Sequence, residues 1–117
     1  MAFIDTSELR VIEPLTGWKG RFFHSEHMTF AYYTVAAGAS VHEHAHSNDE
    51  VWNVIEGELE FTIAGETRVV GAAAAVVVPP NTPHSVKALT DVRAIVVDYP
   101  LRYSIGGVNL LSYELAQ

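Results

Sequence analysis

The sequence predicts an all-β fold, a sandwich or barrel. Two observations carry this. Short runs of β-branched and aromatic residues recur from Arg21 to Asp98, each closed by turn residues. Between the first residues and the tail, no segment sustains a helical period.

The elements follow in order. Asp5–Leu9 reads as a short helical turn capped by Asp5 or Thr6. Arg21–His24 and Met28–Ala36 read as strands around the polar turn Ser25-Glu26-His27. Val51–Ile55 ends at Gly57, and Leu59–Ile63 begins two residues later. Leu59, Phe61 and Ile63 alternate with Glu58, Glu60 and Thr62, as in a half-buried strand. Ala64-Gly65-Glu66 turns the chain into Thr67–Val70. Ala75–Val78 is a continuous apolar run that stops at Pro79-Pro80. Ser85–Leu89 and Val92–Asp98 complete the set, with Thr90-Asp91 between them. A helical period returns only at Asn109–Ala116. The chain is expected to be one domain, residues 1–117. Its barrel core spans about 18–99, with an N-terminal arm at 1–17 and an apolar tail at 101–117 that packs on the barrel or on a second subunit.

Composition narrows the function. The 117 residues are 49% apolar and 18% charged, with a net charge of −7 from 14 acids and 7 bases. An acidic chain with scattered cations suits neither nucleic acid nor an anionic membrane surface. The longest uncharged apolar run, Val69–Val78, is far shorter than the ~20 residues of a membrane span. There is no cysteine, so thiolate metal sites, thiol nucleophiles and disulfides are excluded. The start Met1-Ala2-Phe3-Ile4-Asp5 has neither the basic nor the apolar region of a signal peptide, so a cytoplasmic protein is expected.

Six histidines stand against this acidic background, three of them within Val41-His42-Glu43-His44-Ala45-His46. On an extended strand, residues two apart share a face, so His44 and His46 can grip one ion. The turn Ser47-Asn48-Asp49 allows Glu50 to return beside them. Two imidazoles and a carboxylate suit borderline divalent cations. A solvated polar loop would carry the same spacing. In Pro79-Pro80-Asn81-Thr82-Pro83-His84, three prolines make a rigid turn that delivers His84 to the start of the next strand.

Together the two segments resemble the cupin family. Gly38, His44, His46, Glu50 and Gly57 match its first motif at every spacing, and Pro79 and His84 fall in place in the second. The departures are Ala73, where the first glycine of the second motif is expected, Asn81 at its turn glycine and Ala88 at its asparagine. Asn tolerates left-handed backbone, so Asn81 can stand in for glycine there. The resemblance covers about Trp18 to Tyr99. It implies a single jelly-roll barrel, the double-stranded β-helix. It also implies one divalent metal ion, Fe, Mn, Ni, Co, Cu or Zn, held by His44, His46, Glu50 and His84.

Around those residues, His42 shares the parity of His44 and is a candidate proton shuttle at the cavity mouth. Trp52 and Val54 continue the parity of Glu50; with Phe30, Tyr33 and Phe61, Trp52 is a candidate for the cavity wall. His24 and His27, in or beside a turn, read as surface residues. Asp98 ends the last strand and is followed by Tyr99-Pro100-Leu101-Arg102. This is similar to small cupins of pectin and uronate breakdown, although their spacer is longer. The similarity gives Asp98 an acid–base role and makes Arg102 a clamp for a substrate carboxylate. The expected partner is a small oxygen-rich molecule, a sugar acid or a keto or hydroxy carboxylate. The reaction is expected to be isomerase or lyase chemistry. An Fe(II)-dependent dioxygenase and a non-catalytic metal- or ligand-binding module are the alternatives. A homodimer is expected, because uncovered edge strands are a liability.

Overall fold

The computed structural model describes residues 1–110 and the backbone of 114–115. Alternation builds its walls. In β2 (Trp18–His24) the residues Trp18, Gly20, Phe22 and His24 face inward, and in β3 (Thr29–Val35) so do Thr29, Ala31, Tyr33 and Val35. β5 (Asp49–Glu56) buries Glu50, Trp52 and Val54, and β10 (Val92–Tyr99) buries Val92, Ala94, Val96 and Asp98. These strands join β1 (Ile12–Leu15) and β8 (Ala75–Val78) in one sheet of order β1-β2-β3-β10-β5-β8, and β13 (Glu114–Leu115) adds to β2 in parallel.

The facing sheet has the order β4-β9-β6-β7, formed by β4 (Ser40–His44), β6 (Leu59–Ile63), β7 (Glu66–Val70) and β9 (His84–Ala88). The chain crosses repeatedly between the two sheets, which gives the jelly roll. Among the described residues there is no α-helix; Thr6–Glu8 is a 3₁₀ turn, with Ser7 N–H donating to the Asp5 side chain, and Leu110 is in 3₁₀ conformation. No helix of the described residues is long and apolar enough to cross a membrane.

The core lies between the sheets. Trp18, Tyr33, Trp52 and Phe61 pack edge-on or stacked at centroid separations of 5.2–6.4 Å, surrounded by Val35, Val54, Leu59, Val78 and Val96. Fully burying such a side chain contributes roughly 1.5–3 kcal/mol. Leu110 is also fully buried, so the segment after β10 is part of the core. That segment forms a small hairpin, β11 (Ser104–Ile105) with β12 (Val108–Asn109). The helical period expected over Asn109–Ala116 is not realised at Asn109 or at 114–115, which are strand; Leu110 is in 3₁₀ conformation, and 111–113 and 116 lie outside the described residues.

Candidate metal centre

Cross-strand register assembles the site. One row across the larger sheet reads His24, Thr29, Asp98, Glu50, Val78, from β2 through β3, β10 and β5 to β8. All five are buried, and four are polar. In the facing sheet His44 pairs with His84. His46 hangs in the loop between β4 and β5. The turn that carries His84 is tied to this loop, because Asn81 N–H donates to the His46 carbonyl at 2.7 Å. Asn81 has φ 58°, the left-handed conformation expected of a residue standing in for glycine.

The imidazoles converge, with ring centroids 4.2 Å apart for His44 and His84, 5.0 Å for His46 and His84, and 5.7 Å for His44 and His46. His44 Nδ1–H donates to the His42 carbonyl at 2.9 Å, and His84 Nδ1–H donates to the Thr82 carbonyl at 2.8 Å. A carbonyl can only accept, so both rings carry their proton on Nδ1 and present a bare Nε2. Glu50 Oε2 lies 3.2 Å from His84 Nε2 and 3.4 Å from His46 Nε2. Even so, Glu50 Oε2 and His84 Nε2 are buried without hydrogen-bond alignment to any partner. Buried polar atoms are rarely left so. Donor atoms of His44, His46 and His84 lie within 4.8 Å of one another, and so do those of His46, Glu50 and Asp98. Three imidazoles, two of them with oriented lone pairs, and one or two carboxylates fit a borderline divalent cation.

Electrostatics follow from the same contacts. Burial disfavours the Glu50 carboxylate, but His46 and His84 beside it outweigh burial and hold its pKa below the ordinary range. Burial lowers the pKa of His44. Burial also opposes the His84 imidazolium, yet Glu50 and the Thr82 carbonyl leave its pKa raised. Asp98 is pushed up to about 7 by burial and then by the Glu50 charge, against the pull of Arg102. Burial raises the Tyr33 pKa.

Arg102 closes the site. Its Nη1 lies 3.5 Å from Glu50 Oε1, 3.6 Å from Asp98 Oδ1 and 3.4 Å from His46 Nε2. These distances exceed the ~2.7–2.9 Å of a full charge-assisted hydrogen bond, so the guanidinium is loosely engaged. The cavity beneath it encloses about 40 Å³. Tyr33 and Trp52 line it, as the sequence suggests, together with Trp18, Val41, Val86 and Ile105.

Four expectations change. His42 is exposed and outside the cavity. Between Val41 and His44, β4 spends one residue more than β9 spends between Val86 and His84, and this bulge turns both Val41 and His44 inward and His42 out. Its carbonyl, not its ring, serves the site. Phe30 lies on the outer face, stacked on Phe23 at 4.7 Å, because its strand parity is opposite to that of Tyr33. Phe61 sits behind His84, nearly parallel to it at 6.5 Å, and is a core residue that does not line the cavity. His27 is exposed, but His24 is fully buried. His24 shares parity with Phe22, which is the signal that marks it as inward.

Residues 31–99, more than half of the chain, match the cupin domain. The chain belongs to the cupin family. This cupin is 30% identical over 81 residues to an uncharacterised protein of Streptomyces coelicolor, covering 68% of this chain and 77% of that one. Among solved structures it superposes on KdgF from Halomonas sp. with a TM-score of 0.81 at 25% identity, over 87% of this chain and 96% of that one. It also matches an RmlC-like cupin from Shewanella frigidimarina, with a TM-score of 0.81 at 24% identity, over 86% and 91% of the two chains.

Proposed function

We propose that this cupin is a metal-dependent, non-redox enzyme acting on a small sugar acid or a keto or hydroxy carboxylate. The observation that carries the reading is the closely facing but unpartnered pair Glu50 Oε2 and His84 Nε2, flanked by a buried carboxyl and a loosely held guanidinium. His44, His46, Glu50 and His84 would hold the cation. A bound divalent ion supplies Lewis-acid polarisation of a substrate oxygen.

The remaining chemistry belongs to the chain. Arg102 binds a substrate carboxylate, for which its planar fork is suited. It does so by leaving Glu50 and Asp98, since the 40 Å³ beneath it has room for only a few waters at ~10–15 Å³ of accessible space each. Asp98, released from Arg102, faces the substrate and takes or gives the proton at its Oδ1, which has no hydrogen-bond partner. Trp18, Tyr33 and Trp52 exclude water from that exchange. The fold match to KdgF and the motif similarity to uronate-processing cupins support an acidic sugar derivative. Exposed Ile55 and Val77 on the outer face of the larger sheet support a homodimer, which light scattering tests.

The test is a metal-loaded sample against a panel of unsaturated and keto uronates, followed by absorbance and NMR, with an oxygen electrode in parallel. Turnover without oxygen uptake is expected, reduced at least ~100-fold in Asp98→Asn. No turnover of any uronate by fully loaded protein, or turnover coupled to oxygen uptake, would overturn the reading.

A further inference from the structure

Arg102 has no strand to hold it. It follows β10 by three residues, in a segment without regular structure. Its backbone must therefore be fixed by side chains from elsewhere, and three of these are in place. Asn48 Nδ2 donates to the carbonyls of Pro100 at 2.7 Å and Leu101 at 3.3 Å. Arg102 N–H donates to Thr29 Oγ1 at 2.8 Å. His24 bonds Thr29 Oγ1 at 2.8 Å through Nδ1 and the Leu110 carbonyl at 3.0 Å through Nε2.

The donors and acceptors of this chain resolve in one way. The Leu110 carbonyl can only accept, so His24 carries its proton on Nε2. His24 Nδ1 is then an acceptor and takes the Thr29 hydroxyl proton. The hydroxyl lone pairs are left for Arg102 N–H. Every group is satisfied by a neutral His24, in the tautomer opposite to that of His44 and His84. His24 is 0% exposed and Thr29 1%, so water cannot substitute for either. Both lie in the same cross-strand row as Asp98 and Glu50, which fixes Arg102 relative to the carboxylates it spans.

We propose that His24 and Thr29 are positioning residues that set Arg102 over the cavity for a substrate carboxylate. The proposal rests on the reading of Arg102 as the clamp. The pair touches neither the candidate ligands nor a substrate, and acts through the Arg102 backbone. Loss of the hydroxyl frees that backbone, and small misplacements of a positioned group have large effects on what it binds.

The experiment compares the parent with Thr29→Val, which keeps the shape and loses the hydroxyl, Thr29→Ser, which restores it, and Arg102→Gln, which calibrates the clamp. Malonate is titrated into each metal-loaded protein by calorimetry, and metal content is measured on the same samples. Imidazole ¹⁵N shifts are recorded on metal-free parent and Thr29→Val. Arg102→Gln is expected to weaken malonate at least roughly tenfold, the scale of one charged hydrogen bond. Thr29→Val should weaken it by a similar factor at unchanged metal content, with Thr29→Ser near the parent. His24 should show the Nε2–H tautomer in both parent and Thr29→Val, since the Leu110 carbonyl holds that proton, while its Nδ1 shift should move in Thr29→Val as the hydroxyl donor is lost. Malonate affinity in Thr29→Val equal to the parent would overturn the positioning role, as would equal losses in Thr29→Val and Thr29→Ser. Failure of the parent to bind malonate, or an unaltered affinity in Arg102→Gln, would overturn the clamp reading and the positioning role with it.

Discussion

His84 Nε2 and Glu50 Oε2 face each other across 3.2 Å at the centre of the barrel, both buried and neither in a hydrogen bond. The backbone forces this on His84. Its other nitrogen is committed to the Thr82 carbonyl, and the residues before it include Pro80 and Pro83, whose fixed φ leaves the turn little freedom. A cation held by these residues would satisfy both buried atoms.

Metal should therefore stabilise the fold. Ligand at a hundredfold excess over Kd contributes roughly 2.7 kcal/mol, on the order of 10 °C in Tm for a domain of this size. Thermal melts of chelator-treated protein with and without added Mn, Fe, Co, Ni or Zn measure it. Glu50→Gln, which keeps the shape but loses the charge, should reduce the shift. His84→Ala should abolish it. A Tm indifferent to every one of these metals would count against a metal centre.

Much of the fold and of the candidate site was legible because period-two alternation and motif spacing are local. The runs Leu59–Ile63 and Ala75–Val78 are strands at the bounds the pattern predicts. What was not legible depends on partners. Nothing in Val41-His42-Glu43-His44 announces a bulge; it exists only in the pairing with β9, and it reverses the expected direction of His42. The hairpin Ser104–Ile105 with Val108–Asn109 is too short to show a period, yet it brings Leu110 into the core and lets His24 reach it. Arg102 reaches the cavity by way of this segment, which the spacing after Asp98 only hinted at.

Ala73 stands where the second motif has a glycine, and its φ is 71°. A left-handed backbone costs a side-chain-bearing residue about 1–2 kcal/mol, part of which glycine gives back in unfolded-state entropy. Ala73→Gly should therefore raise stability by about 0.5–1 kcal/mol, a few degrees in Tm. Ala73 N–H keeps its bond to the Val54 carbonyl in either case. A lower Tm in this variant would show that the turn gains more from the methyl group than it loses in strain.

Gly57 and Gly38 both have φ 87°, but their surroundings differ. A Cβ on Gly57 would run into the Asp91 carbonyl and come within 2.8 Å of Thr90 Oγ1, whereas one on Gly38 would meet nothing within 4 Å. Gly57→Ala should cost well over ~2 kcal/mol, with strain and clash combined, and Gly38→Ala about 1 kcal/mol from strain alone. Urea melts of the two variants separate the terms. Equal costs would mean that the loop after Thr90 moves aside freely.

In chelator-treated protein the pH dependence of stability should carry the mark of Asp98. Its carboxyl is raised from 3.8 in the unfolded chain to about 7 in the fold, by burial first and the Glu50 charge second. Across that interval the folded state holds a proton that the unfolded chain has lost. The stability so conferred is full below the unfolded value and is lost as pH rises toward 7. His84, also held above its ordinary value, acts in the same direction, while His44, held below, opposes. Glu50 is ionised in both states above about pH 5 and adds no slope there. Asp98→Asn is neutral at every pH and removes the Asp98 contribution alone. Its Tm should fall less than the parent's between pH 5 and 7.5, and the two profiles should diverge steadily over that range. Parallel profiles would mean that Asp98 is ionised throughout, held so by Arg102 at 3.6 Å against both burial and Glu50.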